Sequence, residues 1–170
     1  MTRSYTIYGK DESSYDDWIN WIYSAELICD ILGFKSNFYS VYIKSDKSYN
    51  FKHAKNVINK INTLRNGKEK IVNISIYVLP ENYKTIAFDF IITLSRNFGY
   101  SKYVTLIANK NYKFNFDDDK IINELENNIS ATNCEIYEME MKECPEMYAN
   151  GIIDRKNIKS IKVLKTYQID

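Results

Sequence analysis

The hydrophobic positions of the chain change period several times, and each change marks an element. Residues 3–8 alternate polar and apolar, the rhythm of a strand with one buried face. From Ser14 the period lengthens. Trp18, Trp21, Ile22, Ala25, Cys29 and Leu32 recur at three- and four-residue steps, which places them on one side of a helix. Ser14 and Asp17 have the spacing of a capping box at its start, and Gly33 supplies its stop. Residues 37–45 are rich in β-formers and predict a second strand. Phe51, Ala54, Val57, Ile58, Ile61 and Leu64 then share one face of a second helix, beginning at about Phe51 and ended by Gly67.

The middle of the chain returns to period two. Residues 70–79 predict a strand with Val72, Ile74, Ile76 and Val78 inward. Residues 84–95 carry the clearest alternation, with Ile86, Phe88, Phe90, Ile92 and Leu94 apolar and mostly small or polar residues between them. Pro80 to Tyr83 reads as the hairpin turn joining these two strands, and 97–99 turns the chain again into a strand at 103–108. A third helix is expected from about Asp117 to Asn128, with Ile121, Ile122, Leu125 and Ile129 on one face, followed by strand-like segments at 134–141 and 160–168. Helices do not alternate regularly with strands. The pattern predicts an α+β fold: a mainly antiparallel sheet with a central β-meander, packed by about three helices. A chain of 170 residues without linker or repeat reads as a single domain over 1–170.

Chemistry changes this picture mainly by what it excludes. His53 is the only histidine, so a Ser-His-Asp or Cys-His arrangement would have to use it, and it sits among lysines on the expected solvent side of a helix. One histidine and three dispersed cysteines make no familiar zinc set. Five isolated glycines exclude the glycine-rich phosphate cradles, and there is no G-x-S-x-G elbow. Asp117, Asp118 and Asp119 could recruit Mg²⁺ only from a loop, because successive helical residues point about 100° apart. No cofactor or metal is expected, and the protein reads as a non-enzyme. The start of the chain has no signal-like apolar core, and no stretch approaches the length of a membrane span. Cys29, Cys134 and Cys144 are odd in number and form no C-x-x-C pair, which fits free thiols in a reducing compartment. The expected location is cytoplasmic.

Two features remain. A net charge of +1 conceals a strong asymmetry. Residues 44–70 hold eight cationic against two anionic side chains, while 114–146 hold ten anionic against two cationic, a net of −8. There are also fifteen tyrosines, eight phenylalanines and two tryptophans, more than one core of this size requires, so some Tyr must be exposed. AT-rich codons encode Asn, Ile, Lys, Tyr and Phe, and base composition accounts for much of that excess. In size, composition and its acidic, tyrosine-studded character, the whole chain resembles the immunity proteins of bacterial contact-dependent growth inhibition and related polymorphic toxin systems. That resemblance implies an antitoxin that binds a cognate toxin domain, a class that includes basic nucleases, and occludes its active site. Under it, the candidate contact set is Asp117, Asp118, Asp119, Glu124, Glu135, Glu138 and Glu140, carboxylates able to mimic phosphates against Lys and Arg. The near-neutral total departs from the acidity common among nuclease inhibitors. The alternative is an RNA- or DNA-binding module using the 39–70 region, its lysines on phosphates and Tyr39, Tyr42 or Tyr49 stacking on bases. A divalent-ion enzyme built on the acidic helix comes third.

Overall fold

The capping box forms as its spacing requires. Ser14 Oγ accepts from the Asp17 amide at 3.2 Å while Asp17 Oδ2 accepts from the Ser14 amide at 2.7 Å, satisfying two amides that the helix itself cannot. The helix they open, α1 (Tyr15–Ile31), buries Trp18, Trp21, Ile22, Ala25, Ile28 and Cys29, and Gly33 ends it at φ +82°. The computed structural model describes residues 1–10 and 13–169.

Among the described residues, eight strands form one antiparallel sheet. They are β1 (Thr2–Gly9), β2 (Phe38–Ile43), β3 (Ser48–Phe51), β4 (Ile71–Val78), β5 (Ile92–Phe98), β6 (Lys102–Asn109), β7 (Ala131–Met139) and β8 (Lys162–Gln168). Their spatial order is β3-β2-β4-β5-β6-β1-β7-β8. The expected meander, β4-β5-β6, lies at the centre, and β1 inserts between β6 and β7. Edge strand β3 is only four residues long and edge strand β8 carries Lys162 and Lys165, both of which discourage pairing with another chain. Helices α1, α2 (Ala54–Asn66) and α4 (Asp118–Glu126) cover one face, with a short α3 (Ile86–Asp89) and α5 (Pro145–Ala149) elsewhere. Between the three long helices and the sheet lies the main core, including Tyr5, Ile7, Val41, Ile74, Ile76, Ile92, Leu94, Leu106 and Ile136. Among the described residues, no helix is long and apolar enough to cross a membrane.

Three expectations are corrected and one is extended. The alternation over 84–95 is not one strand: Ile86–Asp89 is a turn of helix and the strand begins only at Ile92. Asp89 explains the break, because its Oδ2 accepts the Lys84 and Thr85 amides at 2.8 and 2.7 Å and so winds the chain into a turn. Pro80–Tyr83 does form a turn, the Tyr83 amide donating to the Pro80 carbonyl at 3.2 Å, and β4 and β5 pair antiparallel, but their connection runs on through α3 to Ile92. Residues 37–45 supply only one strand of a hairpin whose second arm is β3, with the turn at Asp46 in the left-handed region (φ +60°). The second helix starts at Ala54 with His53 at its N-cap, because Phe51 already pairs with Tyr39 in the sheet. Finally, Val72 is not fully inward. A bulge shifts the β2–β4 register between Tyr42 and Ile43, so that Ile71 is buried in the core instead.

The opposite face of the sheet differs in kind. Facing away from the long helices are Thr2, Ser4, Thr6 and Tyr8 of β1, Ser40 and Tyr42 of β2, and Asn73, Ser75 and Tyr77 of β4. Thr93, Ser95 and Asn97 of β5 and Tyr103 and Thr105 of β6 continue the row. Part of this hydroxyl-rich surface is roofed by α5 and its flanking loops, which seal two small apolar clusters around Leu79, Phe90 and Ile107 and around Tyr137, Met139 and Ile158.

Candidate functional site

The seven carboxylates of the acidic stretch do not form one surface. Asp117 caps α4 through the Lys120 amide, and its carboxylate pairs with the Lys120 ammonium at 3.2 Å. Asp118 turns inward: both of its oxygens accept from Arg3 Nη2 at 2.9 Å and Oδ1 accepts from the Tyr5 hydroxyl at 2.6 Å. The Arg3 guanidinium in turn lies over the rings of Tyr5 and Phe116, so Asp118 is a structural tie between α4 and β1. Glu138 pairs with Lys110 at 2.8 Å, and Glu140 with Lys142 at 2.6 Å. Glu135 projects from the opposite face of the sheet, where it accepts from the Tyr148 hydroxyl at 2.9 Å. Glu135 has no ion pair among the described residues, and Asp119, exposed, and Glu124, half-buried, have neither an ion pair nor a side-chain hydrogen bond there.

The basic stretch is likewise dispersed. Tyr39 is buried, its hydroxyl donating to Glu26 at 2.6 Å, and cannot receive a base. Tyr49 carries the Lys60 ammonium 3.6 Å above its ring centre. Of the three proposed stacking residues only Tyr42 has an open face, on the side of the sheet away from α2 and its lysines.

What the fold does bring together is a groove on the hydroxyl-rich face beside α5. Its polar half, about 420 Å³, is lined by Tyr42, Asn73, Tyr77, Asn97, Tyr103 and Asn150. Its apolar half, about 440 Å³, is lined chiefly by Ile86, Phe88, Phe90, Ile107, Pro145 and Met147. Tyr77, Glu146 and Met147 border both halves, which puts a carboxyl at the junction. Both volumes fall within the usual range of ligand pockets.

Glu146 retains some surface along the groove, yet protein atoms crowd its carboxyl. Burial raises its pKa above the ordinary glutamate range, an effect partly offset by the hydrogen bond from Ser95. Burial also pushes the Tyr77 phenol up to about 12 and raises the Tyr103 phenol, with the charge of Glu146 adding to both. Ser95 Oγ lies 2.7 Å from Glu146 Oε1 and 2.8 Å from Ser75 Oγ, which lies 2.8 Å from Asn73 Oδ1. This chain of three contacts has two self-consistent polarities. With the carboxylate ionised, Ser95 donates to Glu146 and Ser75 to Ser95, so Asn73 must turn its amide nitrogen inward. With the carboxyl protonated on Oε1, every donor reverses and Ser75 donates to Asn73 Oδ1; the structure has Ser95 donating to Glu146 and Ser75 donating to Asn73, one end of each polarity. Glu146 protonation is thereby linked to the face that Asn73 offers the groove.

This arrangement carries a stability prediction. Below about pH 4.5 both the folded and unfolded chains hold the Glu146 proton. As pH rises above that value the unfolded chain releases it first, so folding stability falls until pH exceeds the raised folded-state pKa. Each unit of that elevation is worth about 1.4 kcal/mol. Glu146→Gln is expected to remove this loss, leaving the variant more stable than the parent at pH 8 and nearly equal to it at pH 4. Urea titrations at the two pH values measure the difference, and equal gains at both would disprove the assignment.

The sequence reading missed this groove because it treated the polar member of each alternating pair as solvent-facing. The signal was present: Ser, Thr, Tyr and Asn occupy the second face in five strands, with few charges. Among the described residues, no group of three or more His, Cys, Asp or Glu side chains is placed to hold a metal ion. Comparison of the chain with protein-family models, with curated proteins and with solved structures finds no match in any of the three.

Proposed function

We propose that the chain is a non-catalytic binding protein of the immunity kind, an antitoxin that neutralises a toxin domain by covering its active site. In this reading the groove face of the sheet is the contact surface, and the acidic stretch is not. The observation that supports it is the ring of exposed apolar side chains around the groove. Tyr42, Phe88, Met147 and Ile152 stand partly free of the protein, Ile152 with 60% of its surface accessible. Large apolar residues gathered around a polar-lined cleft are what a protein interface leaves when its partner is removed. The strands beneath, β2, β4, β5 and β6, are each hydrogen-bonded to a neighbour on both sides, and such preorganisation reduces the entropy lost on binding.

The test is co-expression with the open reading frame encoded beside this one, followed by size exclusion. A stoichiometric complex is expected, which Phe88→Asp and Ile152→Asp weaken at least tenfold while Asp119→Asn and Glu124→Gln leave it intact. Separate elution of the two proteins overturns the reading. A complex broken by the acidic-stretch variants alone moves the interface to α4.

A further inference from the structure

The feature left without a role in the folded chain is the Glu146 carboxyl. Its Oε1 has Ser95, while Oε2 receives no hydrogen bond among the described residues. Among the described residues, no lysine, arginine or histidine forms an ion pair with it or contributes to its electrostatics. The other titratable groups that line the groove with it are tyrosines and a cysteine. Tyr77 comes from β4, Tyr103 from β6 and Tyr42 from β2, with Cys144 beside it on its own segment. Beyond Tyr103 lie Tyr137 of β7 and Tyr148 of α5. A buried carboxylate without a countercharge is costly, which is why burial raises the Glu146 pKa. Thr93 Oγ1, at the floor of the apolar half, is also buried without a hydrogen bond of good geometry. Its contact with the Tyr77 phenol lowers the pKa of that group. An unused carboxyl oxygen, two phenol rings and an adjoining apolar pocket describe one kind of guest: a cation on an aliphatic stem, next to a bulky apolar group.

We propose that Glu146 is the anchor for a lysine or arginine side chain of the partner, held between Tyr77 and Tyr103, with a neighbouring apolar residue of the partner seated against Phe88, Phe90 and Ile107. This rests on the groove face being the protein interface proposed above. Charge complementarity selects the guest, since a neutral or anionic side chain would leave the carboxyl as it is. The phenol rings favour a cation over an amide through their faces, and their hydroxyls remain protonated where Glu146 titrates. Insertion of the cation displaces the proton of Glu146 to solvent, and the hydroxyl chain through Ser95 and Ser75 reverses toward the ionised polarity. Below the Glu146 pKa, one proton leaves for each cation bound. Affinity therefore rises up to tenfold per pH unit below the Glu146 pKa and levels off above it.

The experiment needs no partner. The intact protein, with its Glu side chains labelled with ¹³C at the carboxyl, is titrated with n-butylguanidinium and, separately, with n-butanol, and Glu146 is followed by NMR. Butylguanidinium is expected to lower the apparent Glu146 pKa by at least one unit and to bind at least tenfold more weakly to Glu146→Gln. Butanol is expected to enter the apolar half without moving that pKa. Equal effects of the two probes, or a Glu146 pKa unmoved by saturating butylguanidinium, overturn the proposal. The outcome is separable from the partner question. If the cation binds here but no complex forms on co-expression, the antitoxin reading fails and the cation site stands. If a complex forms that Glu146→Gln leaves unweakened, the anchor is refuted while the interface stands.

Discussion

Replacement of Trp21 by alanine is expected to remove about 3–5 kcal/mol of folding stability. The indole is fully buried in the middle of α1, and its Nε1 donates to the Ile74 carbonyl of the central strand β4 at 3.1 Å. Alanine would leave both a cavity between helix and sheet and a carbonyl deprived of one partner. Trp21→Phe keeps most of the apolar volume and loses the hydrogen bond, so its cost should be smaller, about 1–2 kcal/mol. A domain of this size has roughly 5–15 kcal/mol in total, which leaves the alanine variant close to its unfolding limit. Urea midpoints for the two variants, compared with the parent, measure both terms. A midpoint unchanged in Trp21→Ala would mean that α1 does not pack on the sheet as described.

Arg96→Leu is expected to cost on the order of 3 kcal/mol, the combined scale of a charged hydrogen bond and a desolvated cation–π contact. Arg96 points from β5 into the helix-covered core and is almost wholly buried. Its guanidinium lies 4.6 Å from the Trp18 ring and 4.3 Å from the Phe98 ring, donates to the Asn128 carbonyl at 3.0 Å, and donates to Ser13 Oγ. Leucine has a fitting apolar body but leaves the Asn128 carbonyl unmatched. Arg96→Lys preserves the charge yet cannot present a planar face to two rings, so it should fall between parent and leucine. Because the same side chain reaches the residue before the α1 cap and the end of α4, amide exchange should quicken at both places in the leucine variant. Exchange changed at neither place would contradict this role.

Much of the fold was legible from the sequence where one physical signal dominated. The α1 stripe, its capping box and the faces of α2 and α4 follow from helical periodicity, because a helix buried on one side leaves the other to water. The α+β class and the central meander followed from the order of those periods. The 84–95 alternation misled because Ile86 and Phe88 mimic a strand, while the deciding interaction is a short-range one from Asp89 to two amides. The charge runs also misled. Counting charges along the chain cannot show that Asp118 is held by Arg3 and Tyr5, or that Glu135 and Glu138 lie on opposite faces of β7. Glu146 was counted as one acid among ten. Its difference from the rest depends on α5 folding back over β5 and β6, which no local pattern records.

The position of β1 has a consequence for how the molecule is made. Thr2 pairs with Asn109 on one side and with Met139 on the other, and the Met1 carbonyl accepts from the Lys110 amide. This strand therefore leaves the ribosome long before either neighbour exists. Until residues of β6 and β7 emerge, its apolar side chains Tyr5 and Ile7 have no sheet to join. Closure of the sheet around β1 is a late event, and the loops it must close are among the longest in the chain. Such non-local pairing slows folding in general and lengthens the time an unpaired strand is exposed to other chains. For a protein read as an antitoxin, the interval between synthesis and a finished sheet is the interval in which protection is not yet available.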